Sequence, residues 1–161
     1  MPEPTRHPRD SDLPIDPDAA GVDDRAGRTA APTPRILAVI ALGGVVGTLA
    51  RNGLAQALPT AYGHLPWSTF LVNVSGSLLL GLLMVLLEAA LAPSRYLRPF
   101  LGVGVLGGYT TFSTYTSDVR ALLAGGHAPV ALAYLFGTVA ACLLATLAGI
   151  ALGRLIEARR A

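Results

Sequence analysis

Gly107-Gly108-Tyr109-Thr110-Thr111-Phe112-Ser113-Thr114-Tyr115-Thr116-Ser117 is a hydroxyl-dense run set in one of several long apolar segments. From Thr110 to Ser117 every side chain except Phe112 carries a hydroxyl. Hydrocarbon offers such groups no partner, so at membrane depth they must face protein, water or an ion. Gly102, Gly104, Gly107 and Gly108 crowd into the same segment, and a local break in its helix is expected there.

Outward from this run the chain is too apolar for an ordinary soluble domain: 161 residues, 52% hydrophobic, 14% charged, mean hydropathy +0.54. Four apolar segments follow Pro34, at Arg35 to Leu58, Trp67 to Leu91, Pro99 to Leu123 and Pro129 to Leu155. Each is long enough for the about 20 helical residues that cross about 30 Å of hydrocarbon. The connections are short and carry turn residues: Pro59 to Pro66, Ala92 to Arg98 with Pro93, and Ala124 to Ala128 with Gly125-Gly126. The predicted fold class is therefore an all-α membrane protein of four transmembrane helices, the third broken. Tyr62 and Trp67 suit the headgroup region before the second span.

Residues 1–34 differ in kind. They hold seven of the twelve prolines and seven acids against four arginines, which predicts a disordered acidic tail ahead of a membrane domain at 35–161. An acidic, Pro-rich start also does not match a secretory signal. The remainder carries three acids against eight arginines. Arg35, Arg95, Arg98, Arg154, Arg159 and Arg160 fall on the side of the termini and Arg51 and Arg120 on the other, a bias that favours cytoplasmic termini.

Polar residues inside the spans need reasons. Arg51 closes the first span in Gly-Gly-Val-Val-Gly-Thr-Leu-Ala-Arg-Asn, either as a snorkelling anchor or as a cation that eases entry of an anion. Asn73 lies about two turns into the second span, where an amide serves either interhelical hydrogen bonding or donation to a passing anion. Phe112 and Tyr115 share a helical face, and the positive edges of two rings could help hold a desolvated small anion. Tyr134, Thr138, Cys142 and Thr146 form one mildly polar stripe in the last span. The small-residue pairs Gly43/Gly47, Gly104/Gly108 and Gly149/Gly153 have the spacing of close helix contact.

Chemistry-bearing motifs are missing. Glu88 and Asp118 form no carboxylate pair, His7, His64 and His127 lack metal-ligand spacing, and Cys142 is the only cysteine. With no phosphate loop and no nucleophile motif either, the sequence argues against an enzyme.

From Ile36 to Leu155 the chain resembles the Fluc (CrcB) family of fluoride channels. The markers are Gly43 to Arg51, Phe70-Leu71-Val72-Asn73-Val74-Ser75-Gly76-Ser77, and Gly107 to Tyr115. The resemblance implies a passive fluoride-exporting channel in the bacterial inner membrane. Its four-helix subunits would pair as an antiparallel, dual-topology dimer with a structural sodium ion at the centre. It implies a fluoride pathway of Asn73, Phe112, Ser113, Thr114, Tyr115, Tyr134, Thr138 and Arg51, and sodium on the backbone carbonyls of Gly107 and Thr110. Tyr115 departs from the family's usual phenylalanine. The arginine bias adds a question of partner, either a second copy or an oppositely oriented homologue. The rival reading is a small dual-topology multidrug or cation exporter, yet such exporters need a carboxylate in the first helix and this span has none. A packing-only assembly protein would leave the hydroxyl run unexplained.

Overall fold

Proline stands at the first or second position of three helical elements, because its missing N–H costs nothing at a helix start and its fixed φ suits one. The structure is a computed structural model and describes residues 33–89 and 95–159. The predicted tail falls almost wholly outside the described residues, as does Pro93 in the second connection. Helix α1 runs Pro34–Ala57 and α2 runs Trp67–Ala89. A π-helical segment, Pro99–Leu106, leads into one α-turn, α3 (Gly107–Tyr109). Helices α4 (Phe112–Ala124) and α5 (Ala128–Ala158) complete the chain, and no strand occurs among the described residues.

The turns end the helices by backbone chemistry. Gly126 sits at φ 80°, which lets the Gly126 and His127 N–H groups return to the Leu123 and Leu122 carbonyls at 3.1 and 2.9 Å. This closes α4 and starts α5 within three residues. After α1, the Leu58 N–H still reaches the Leu54 carbonyl, and Pro59 then prevents continuation.

Small residues set how the helices meet. A Cβ on Gly43 would lie 2.5 Å from the Phe100 carbonyl oxygen, and one on Gly108 would lie 2.5 Å from that of Gly44. Helix α1 thus lies backbone to backbone against the π-segment and α3, with Gly43 facing Gly104, Gly44 facing Gly108 and Gly47 facing Val105 and Tyr109. A second seam joins α2 to α5, where Gly81 faces Thr146 and Gly149 faces Leu78. Between α4 and α5 the contact is made by side chains instead: Tyr115, Val119 and Leu122 pack on Ala131 and Tyr134.

Three helices, α1, α2 and α5, are long and apolar enough to cross a membrane. Their outward faces stay greasy, with Leu42, Leu49, Phe136 and Leu144 all exposed, the reverse of a soluble helix. The chain is a multi-pass membrane protein. The fourth expected crossing, Pro99 to Leu123, is divided among the π-segment, α3 and α4, none of which is that long by itself.

Candidate functional site around the interrupted third segment

Two residues separate α3 from α4. Thr110 has ψ 157° and Thr111 has φ −148° and ψ 124°, so the chain is extended there between helical turns. Extended backbone in a low-dielectric setting exposes groups that cost several kcal/mol if left unpaired, on the order of 2–7 for an amide. Asn73 of α2 meets that cost. Its Oδ1 accepts from the Thr111 N–H at 2.9 Å and its Nδ2 donates to the Thr111 carbonyl at 3.0 Å, so one side-chain amide replaces a strand partner.

Thr111 also starts the next helix. Its Oγ1 accepts from the Thr114 N–H at 3.2 Å, the bond expected of an N-cap threonine. The same oxygen donates to Thr114 Oγ1 at 3.0 Å and lies 3.3 Å from Ser113 Oγ. These bonds have a second effect. An unbroken α-helix would send the Thr111 N–H to the Gly107 carbonyl and the Thr114 N–H to the Thr110 carbonyl. Both donors are engaged elsewhere, so the break strips the helical partners from those two carbonyl oxygens.

An open cleft of about 480 Å³ adjoins the break, bounded by α2, α5 and the start of α4. Asn73, Thr110, Phe112, Tyr115 and Thr138 contribute to its lining. The Phe112 and Tyr115 rings stand 5.9 Å apart at 46°, but their surroundings differ. Phe112 is 77% exposed, whereas Tyr115 is 4% exposed and its hydroxyl donates to the Leu135 carbonyl at 2.6 Å. The phenol is therefore turned into α5. Thr138 is 3% exposed, and its hydroxyl is buried without a hydrogen-bond partner among the described residues. A buried hydroxyl of this kind is an unfilled hydrogen-bonding group, carried by a residue that helps to line the cleft.

The candidate residues do not all share this cleft. Arg51 and Thr114 line a second cleft of about 380 Å³ with Thr48, Ser68 and Thr69, on the α1 side of the break. Thr111 contributes to both clefts. Tyr134 is 1% exposed in the α4–α5 core, its ring 5.3 Å from Tyr115 and its hydroxyl donating to Asp118 Oδ2 at 3.3 Å. It does not line the cleft, and its ring packs on Tyr115, which does. Ser113 is exposed, and Gly107 lies on the first cleft. Cys142 lies on the first cleft one turn after Thr138. Thr111 itself is not among the residues that the sequence singled out. Its signal was the spacing Thr111 to Thr114, the first and fourth positions of a capped helix start.

Comparison with known proteins gives a consistent answer. The family model described as CrcB-like protein, Camphor Resistance (CrcB), matches residues 38–150. A protein named fluoride-specific ion channel FluC 2 from Nocardia farcinica is 52% identical over 120 residues, spanning 74% of this chain and 83% of its own. One named FluC 3 from Streptomyces avermitilis is 50% identical over 125 residues, spanning 78% of this chain and 61% of its own. A FluC of Thermus thermophilus is 47% identical over 117 residues, 71% of this chain and 91% of that one.

Proposed function

The chain belongs to the CrcB-like protein family, and from that premise we propose that it is a fluoride-specific ion channel that lets fluoride leave the cell passively. The observation that carries the reading is the clamped break: a polar backbone interruption with an amide, hydroxyls and two ring edges gathered beside it. A small anion is strongly hydrated, so a pore must replace its water without trapping it. Several modest donors in sequence suit that need better than one strong site. Asn73 has one amide proton left after binding the Thr111 carbonyl, Thr138 has an unpartnered hydroxyl, and Phe112 and Tyr115 add ring edges. Arg51 and Thr114 would draw the anion in from the α1 side.

The third segment, in this reading, completes a four-span subunit as a broken helix, and two antiparallel subunits assemble into the channel. The Gly107 and Thr110 carbonyls suit a structural sodium ion, because the break leaves both without their helical donors and a hard cation takes oxygen ligands. A bound cation would neutralise carbonyl dipoles that hydrocarbon cannot. The partner is either a second copy or an oppositely oriented homologue, and expression of this chain alone decides between them. No carboxylate stands in α1, so the exporter alternative finds no support.

The test is fluoride efflux from liposomes that hold the purified protein, followed with a fluoride electrode. Rapid efflux without an ion gradient as co-driver is expected, and chloride should not substitute. Well-folded protein that releases no fluoride would overturn the proposal.

A further inference from the structure

Every polar atom of Thr111 is engaged: the backbone pair with Asn73, and Oγ1 with Thr114 and Ser113. A hydroxyl has one proton and two acceptor sites, which fixes how the group is wired. The Thr111 proton goes to Thr114 Oγ1. Its two acceptor sites then take the Thr114 N–H and the Ser113 hydroxyl, so the Ser113 proton points inward and is consumed. The Thr114 proton is the one left over. Thr114 is exposed and lines the cleft that holds Arg51, whereas Thr111 is 8% exposed and lies where the two clefts meet.

We propose that Thr111 is a positioning residue for anion capture. By donating to Thr114 and accepting from Ser113, it leaves the Thr114 hydroxyl as the free proton donor in the cleft that Arg51 also lines, which shares Thr111 with the Asn73 cleft. Donation into Thr114 Oγ1 also polarises that hydroxyl and strengthens it as a donor. This inference rests on the channel reading and adds a residue that acts through another.

The experiment measures fluoride flux against fluoride concentration for wild type, Thr114→Val, Thr111→Val, the double variant and Thr111→Ser. Each single valine is expected to raise the half-saturating concentration about fivefold, the effect of one lost hydrogen bond of about 1 kcal/mol, with the maximal rate changed by less than about twofold. Because Thr111 acts through Thr114, the double variant should match Thr114→Val, and Thr111→Ser should restore the wild-type curve. Effects that multiply to about 25-fold in the double variant would overturn the proposal, since independent sites add in free energy. So would a Thr111→Val variant that lowers only the maximal rate. Should Thr111→Val not fold, Thr114→Val still decides, because a wild-type concentration dependence there refutes the free-donor role. A wild-type protein that carries no fluoride refutes the channel reading instead, and is told apart by that control.

Discussion

The seam between α1 and the π-segment and the break at Thr110–Thr111 are neighbours built on opposite terms. In the seam, backbones approach with nothing between them, and glycine contributes by lacking a side chain. At the break the backbone opens, and side chains supply what the helix no longer does. Geometry is exacting in the first and hydrogen bonding in the second. A substitution that adds one carbon should therefore harm the seam most, and one that removes a polar atom should harm the break most.

The largest effect is expected from Asn73→Leu. It leaves the Thr111 N–H and carbonyl without partners, a cost of about 1–3 kcal/mol each and so about 2–6 kcal/mol together. Fluoride efflux should vanish, and detergent-solubilised protein should lose its sharp size-exclusion peak at a lower temperature than wild type. Asn73→Asp keeps the acceptor for the Thr111 N–H but sets a carboxylate oxygen against the Thr111 carbonyl. Its efflux should also fall, by at least about tenfold, or 1.4 kcal/mol. Wild-type stability in Asn73→Leu would show that the break does not depend on side-chain partners.

Gly47→Ala tests the seam. The new Cβ would meet Val105 and lie 2.7 Å from the Tyr109 nitrogen, all backbone atoms that cannot step aside. Overpacking of this kind costs about 1–3 kcal/mol, partly offset by the better helix propensity of alanine, about 1 kcal/mol. Gly53→Ala in the same helix meets nothing within 4 Å and should be neutral or stabilising in the same thermal assay. Equal behaviour of the two would show that the seam is looser than its glycines imply.

Phe112→Ile separates function from fold at the break. Phe112 is largely exposed, so its loss removes little packing, yet it removes a ring edge from the cleft. Efflux is expected to drop about tenfold, 1.4 kcal/mol on the barrier, with an unchanged melting profile. A fall in stability of the same size would mean that the ring is core rather than pathway.

Much of this arrangement could be read from the residues, and the remainder has identifiable causes. Apolar runs bounded by proline marked three helices to within a few residues, because burial in lipid needs only length and hydropathy. The glycine spacings pointed to both seams, since close approach has a one-residue-type signature. Gly102 and Gly104 mark Pro99–Leu106 as part of an irregular segment, but nothing in its residue types distinguishes a π-helix from another departure from the α-helix. Tyr134 shares a stripe with Thr138, yet one supports the α4–α5 core and the other faces the cleft. Periodicity assigns a face, not what covers it. Thr111 was one hydroxyl among seven, and only the path of the chain around Asn73 distinguishes it.

Tyr115→Phe should produce the smallest change. The phenol hydroxyl donates to the Leu135 carbonyl, which as part of α5 keeps its place in the helical ladder when that donor is lost. No buried acceptor is orphaned, so the cost is the net value of one hydrogen bond, about 1 kcal/mol. The ring remains packed against Tyr134 and retains its edge on the cleft, so efflux should stay within about twofold of wild type while the melting temperature falls by a few degrees. A folded Tyr115→Phe protein that loses efflux tenfold would mean that the hydroxyl leaves Leu135 to serve the anion, and the tyrosine would then belong to the pathway rather than to the wall behind it.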